Sequence, residues 1–145
     1  MKRARGFTML EMMLVLVIAA MAMGILISFG GKGASAADLK ASARSLASGL
    51  RQAQATAMQT RRDALLKLDV ETRQFLLPDG SLHQLPEGIE LQLYTAESEK
   101  LSDRIGAIRF HPDGSSTGGR VTVSLGERKY LVDVDWLTGR VTVED

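Results

Sequence analysis

His111, Asp113, Ser115 and Ser116 fall close together in the chain, and a histidine, a carboxylate and two hydroxyls are the groups that hydrolysis uses. A triad needs oriented partners, with the base held by a third group. The residues between them argue for another use. Pro112-Asp113-Gly114 is a turn signal, and Ser115-Ser116-Thr117-Gly118-Gly119 is a loop whose residues supply positive φ and local hydrogen bonds. His83 stands apart in an expected hairpin. No catalytic residue is assigned. A calcium site built from Asp133, Asp135, Glu144 and Asp145 is the next candidate, because calcium favours several oxygen ligands. Asp133 and Asp135 flank Val134 on an expected strand, so they read as its solvated face, and no matching loop is visible. No metal ligand and no cofactor is assigned.

Glu11 is a different case. It is the only charged residue in the 23 residues from 7 to 29. As a helix that run spans roughly 34 Å, enough for a hydrocarbon core of about 30 Å. A carboxylate in such a segment is expensive unless paired, and marks a functional site whose partner has to be named. The plainer alternative is an acid lying shallow, solvated in the headgroup layer. Lys2, Arg3 and Arg5 precede the run and only Lys32 closely follows it. The positive-inside bias therefore keeps the N-terminus cytoplasmic and sends the bulk of the chain across.

A short basic leader before an apolar segment fits a secretory signal, a plain anchor or a prepilin. Ala34-Ser35-Ala36 followed by Ala37 is a small-residue cleavage pattern, which favours the first. The apolar run is far longer than the 7–15 residues or so of a signal core, which disfavours it. A plain anchor explains the length but leaves Glu11 without a purpose. Arg5-Gly6-Phe7-Thr8-Met9-Leu10-Glu11 resembles the processing site of type IV prepilins and type II secretion pseudopilins. It departs from the pattern only in Met9, where leucine is commoner, a volume-conserving change. The resemblance implies a dedicated peptidase that cuts after Gly6 and methylates the new amine of Phe7. Gly6 lacks a side chain, so its backbone can enter a tight cleavage site extended. Such a cut leaves a positive amine at Phe7, and the Phe7 amine of a neighbouring subunit is the partner expected for Glu11.

The rest of the chain supplies the elements. At 145 residues it allows one modest folded domain plus an anchor. It has no cysteine, which excludes disulfides in any compartment. Gly30-Gly31-Lys32-Gly33 reads as a flexible stretch, with a bend or local melting expected between residues 30 and 35. Leu39, Ala43, Leu46, Leu50, Ala53 and Ala57 then recur at steps of four and three, one face of a helix over about residues 37–62. Arg61-Arg62 near its end complement the helix dipole. Beyond about Asp63 the period becomes two: Leu66, Leu68 and Val70, then Ile89, Leu91 and Leu93, Ile108 and Phe110, Val121 and Val123, Tyr130, Val132 and Val134, and Val141 and Val143. Turn signals such as Pro78-Asp79-Gly80 and Pro86-Glu87-Gly88 separate these runs. The pattern predicts an α+β domain, a long helix followed by antiparallel strands. Residues 97–103 are polar and read as a mobile loop.

Residues 1–6 are thus expected to be a cleaved leader, 7–29 a transmembrane helix, 30–36 a Gly-rich juxtamembrane segment and 37–145 a head. The head leans acidic, with 14 Lys and Arg against 16 Asp and Glu from Asp38 onward, a balance of −2. A surface built to hold phosphate backbones leans the other way.

The segment Ile108-Arg109-Phe110-His111-Pro112-Asp113-Gly114-Ser115-Ser116-Thr117-Gly118-Gly119 resembles that of the pseudopilin H family and its FimT- and FimU-like type IV relatives. Asp133-Val134-Asp135-Trp136-Leu137-Thr138-Gly139-Arg140-Val141 is similar to their closing hairpin. The resemblance implies a pilin-like fold with a helix on two antiparallel sheets, and a non-enzymatic subunit near the tip of a type II secretion pseudopilus. It implies single-pass anchoring in a bacterial inner membrane with the head in the periplasm. The implied partners are other minor pseudopilins, the major pseudopilin, the prepilin peptidase and, as a candidate, secreted cargo. The alternative is a type IV minor pilin for pilus assembly or DNA uptake. Its basic cluster is missing, since Arg140 stands apart and the sequence closes on Val143-Glu144-Asp145, so no nucleic acid is expected. Trp136 reads either as a core or edge aromatic or as an exposed anchor for a partner.

Overall fold

The computed structural model describes residues 9–29, 33–96, 99–100, 102 and 104–145, with the side chains of residues 22–29 outside the description. The chain divides into two units, Met1–Lys32 and Gly33–Asp145.

The first unit holds helix α1, Met9–Phe29, whose sequence is apolar apart from Glu11 in its first turn and Ser28 near its end. A helix without a polar face has no ordinary seat on a soluble domain's surface. Within the residues whose side chains are described, which in α1 are 9–21, no helix is long and apolar enough to cross a membrane. The expected span of residues 7–29 extends past them at both ends. Of the bend expected between residues 30 and 35, residues 30–32 lie outside the described residues.

The second unit opens with α2, Ala36–Thr60. Ser35 is its N-cap: the hydroxyl accepts from the Asp38 amide at 3.2 Å, and the Asp38 carboxylate accepts from the Ser35 amide at 2.8 Å. This reciprocal box satisfies two amides that a helix start leaves orphaned. The same Ala34-Ser35-Ala36 that resembles a cleavage pattern is therefore a helix-start signal. Arg61 closes the helix in the left-handed region at φ 53, as its C-cap rather than as a side chain in the last turn.

The predicted apolar face is the buried one. Leu39, Ala43, Leu46, Leu50, Ala53 and Ala57 are each at most 1 % exposed. Full burial of a leucine contributes about 1.5–3 kcal/mol, so this stripe is the main attachment of the helix. Gly49 shares that face, and a Cβ there would come within 3.0 Å of the Phe75 ring, so its lack of a side chain lets helix and sheet close up.

Among the described residues eight strands follow, in two four-stranded antiparallel sheets. One has the order β3-β2-β1-β5, from β1 (Ala64–Asp69), β2 (Gln74–Leu76), β3 (Leu82–Gln84) and β5 (Ile105–Phe110). The other has the order β4-β6-β7-β8, from β4 (Glu90–Thr95), β6 (Gly119–Leu125), β7 (Arg128–Val134) and β8 (Val141–Glu144). Leu66 and Leu68 of β1, Ile108 and Phe110 of β5, Val121 and Val123 of β6 and Val132 of β7 all turn into one core beneath α2. The architecture is the α+β, pilin-like one, a helix packed on two antiparallel sheets.

Candidate functional site

Gly6 and Phe7, the expected cleavage and methylation positions, lie outside the described residues. Glu11 is exposed in the first turn of α1, where the amide end of a helix favours a negative charge. Met9, Leu10, Met12, Met13 and Leu14 beside it are exposed as well. A contiguous apolar surface of this kind marks a lipid or protein contact.

In the head, the two segments that carry the family resemblance come together at Gln54 of α2. Its Nε2 donates to the carbonyl of Gly114 at 2.8 Å and to that of Thr138 at 3.0 Å. The Ser116 amide donates to the Trp136 carbonyl at 2.9 Å. Gly139 adopts φ +63, and a Cβ there would collide with the Gly114 carbonyl and the Gln54 amide. Helix, Pro-Asp-Gly turn and closing hairpin are thereby locked into one corner.

The hydroxyls that suggest hydrolysis are used up inside these turns. Asp113 Oδ1 accepts from the Ser115 amide at 2.9 Å and from its hydroxyl at 2.6 Å, which holds the carboxyl below its usual range. Ser116 Oγ accepts from the Gly118 amide. His111 meets Asp63 at 3.1 Å. His83 lies stacked on Phe75 with ring centroids 4.8 Å apart.

Asp133 and Asp135 have different surroundings from those expected. Asp133 is on β7 and pairs with Arg120 across the ladder at 2.6 Å. Asp135 lies beyond the strand and organises the turn, accepting from the amides of Leu137 and Thr138, the latter the main reason its carboxyl is held low. The solvated-strand-face reading of Asp135 is corrected: β7 ends at Val134 because the chain turns there. Among the described residues no group of His, Cys, Asp or Glu is placed to hold a metal.

Three features escaped the sequence. Glu99, inside the segment expected to be a mobile loop, is only 6 % exposed and pairs with Arg109 at 3.0 Å, raising that guanidinium's pKa further. Residues 97, 98, 101 and 103 of that segment lie outside the described residues. Gln54 looked like one more polar residue of the helix. Tyr94 (80 % exposed) and Trp136 (66 %) flank a groove of about 770 Å³ whose lining includes Gly118 and Gly119. Only tryptophan's type hinted at it, and the exposure of Trp136 excludes the core reading.

Comparison with known proteins places this geometry. The family described as Type II transport protein GspH matches residues 42–139, the span from the buried face of α2 to the closing hairpin. Type II secretion system protein H of Xanthomonas campestris pv. campestris is 30% identical over 140 residues, 97% of this chain and 83% of that protein. The chain belongs to the GspH family. The Prokaryotic N-terminal methylation motif matches residues 1–27, which enclose Gly6, Phe7 and Glu11. As a GspH minor pseudopilin of type II secretion it is a structural subunit, not an enzyme. Carrying the motif, it is anchored in the inner membrane, and its partners are subunits of the pseudopilus and the peptidase that processes the motif. Among solved structures the GspH fold recurs in the minor pseudopilin EpsH of Vibrio cholerae, at TM-score 0.57 and 19% identity over 74% of this chain and 96% of that one. It recurs also in the type IV minor pilin FimU of Pseudomonas aeruginosa, at TM-score 0.55 and 15% identity over 74% and 88%. The likeness to both is one of fold.

Proposed function

We propose that the chain is made as a precursor, cut after Gly6 and methylated on Phe7, and joins the pseudopilus near its tip beside other minor pseudopilins and above the major one. Its apolar helix crosses the inner membrane once with the N-terminus cytoplasmic, and the head lies in the periplasm. Residues 1–6 are the leader, 7–29 the membrane helix, 30–36 the connection and 37–145 the head. Glu11 accepts the charge of the Phe7 amine of an adjacent subunit, which sets the axial register of entry into the filament. The filament helps move folded proteins through the outer membrane, and the head contributes surfaces for neighbours and cargo.

The observation that carries this reading is the union, in one chain, of the Gly6-Phe7-Glu11 motif with a GspH head. An anchor alone would need neither the acid nor the glycine. Cells lacking the chain should accumulate folded exoproteins in the periplasm, and the full-length chain should restore their release. Undisturbed secretion in those cells would contradict the reading. The acidic balance of the head, −2 from Asp38 onward, argues against nucleic acid as its partner. A gel shift at low salt should therefore show no retained DNA.

A further inference from the structure

The polar face of α2 carries one sign of charge. Past Asp38, which the capping box uses, the helix has Lys40, Arg44 and Arg51 and no acid. All three are exposed, and with Ala47, Tyr130, Val143 and Asp145 they line a groove of about 640 Å³ formed by α2, β7 and β8. Arg51 is held against the sheet, donating from Nη2 to the Val141 carbonyl at 3.1 Å. Neither the Lys40 ammonium nor the Arg44 guanidinium has an ion-pair partner among the described residues. On a helix these two stand about 6 Å apart along the axis, and Arg44 and Arg51 about 10 Å. Yet the head as a whole is acidic, so this groove is a local reversal of its charge.

We propose that the groove receives an acidic segment of a neighbouring pseudopilin subunit. Two carboxylates one helical turn apart pair with Lys40 and Arg44, and an apolar side chain between them covers Tyr130 and Val143. The neighbour's identity rests on the filament reading above, while the acidic chemistry of the segment rests on the groove alone. A polyanion fits less well. Asp145 lies in the groove wall and Glu144 precedes it, so an extended run of phosphates meets acids that a compact carboxylate pair avoids. The half-buried Tyr130 and Val143 also give a protein side chain something to cover that a headgroup does not use.

The test is a photoreactive residue in place of the exposed Ser48, four residues after Arg44 and three before Arg51 on the same helix face, in the full-length chain in its own membranes. The expected crosslink is to another pseudopilin, at a peptide with two acids one turn apart. Lys40→Glu with Arg44→Glu should lower its yield about tenfold, because like charges then face each other. Reversing the mapped acids to lysine should restore it. Lys40→Gln with Arg44→Gln should give a smaller loss in the same direction, and it decides the matter if the reversed chain fails to fold. An undiminished crosslink in both doubly substituted chains overturns the proposal, as does a crosslink that maps to a segment without acids, to phospholipid or to nucleic acid. None of these outcomes bears on whether cells lacking the chain can secrete, so the filament reading stands or falls separately.

Discussion

Gly139 occupies a backbone conformation that L side chains rarely adopt, with the Gly114 carbonyl and the Gln54 amide in the space a Cβ would need. Gly139→Ala should cost about 1–3 kcal/mol in a denaturant melt of the head, from backbone strain with the collision added. Gln54→Ala should cost about 1–3 kcal/mol at the same corner, since it removes the donor to two carbonyls. At the other end of the chain the decisive residue is Glu11. Glu11→Leu should still insert into the membrane, and more readily, because it removes a charge from an apolar run. Cleavage after Gly6 should persist, while crosslinks to other pseudopilins and secreted activity should fall. Glu11→Asp should be intermediate, keeping the charge and shortening its reach. Normal crosslinking and secretion by Glu11→Leu would reduce the acid to a solvated headgroup-layer residue. These two ends differ in how openly the sequence states them. Glycine and glutamate types advertise themselves in an apolar or turn context, but Gln54 is one of several polar residues on a long helix. Its role depends on two loops 60 and 84 residues away.

At the scale of elements, α2 is where sequence and structure agree most closely. Its buried stripe follows from the spacing of leucines and alanines, because a helix has one period and one face to hide. Leu46→Ala should therefore destabilise the head by about 2–5 kcal/mol, depending on how far the site collapses. Ser35→Ala should cost about 1 kcal/mol by removing the cap, read as a lower midpoint in the same melt. The strands were legible wherever alternation ran long, as in Val121-Thr122-Val123 and Tyr130-Leu131-Val132. They were obscure where it was short. β3 buries none of its residues, so it has no apolar pattern to read, and its place is set by pairing with β2. Glu99 was hidden for a related reason: a charged residue in a polar segment reads as solvated until Arg109, on another element, is seen to hold it.

For the whole molecule, acid is the informative perturbation. Asp38, Asp69, Asp79, Asp113 and Asp135 are all held below the usual carboxyl range, chiefly by hydrogen bonds from caps and turns. A depressed folded-state value means the contribution is complete above the unfolded value of about 3.9 and lost as pH falls through the folded values. The melting temperature of residues 33–145 should thus be nearly flat from about pH 7 to 5 and fall below about pH 4. A melting temperature that stays flat well below about pH 4 would contradict this. Sequence showed the division between an apolar rod and a head, because composition changes abruptly near residue 30, but it did not show that the family's two signature segments meet. That meeting is made by Gln54 of α2 and by the backbone bond from Ser116 to Trp136, groups far apart in the sequence.

The central claim, that the chain enters the filament through the prepilin route, is tested most directly by intact-mass analysis of protein taken from its native membrane. The account predicts a chain lacking residues 1–6, beginning at Phe7 and heavier by one methyl group. A mature N-terminus at Ala37, or a chain still carrying its first six residues, would contradict it.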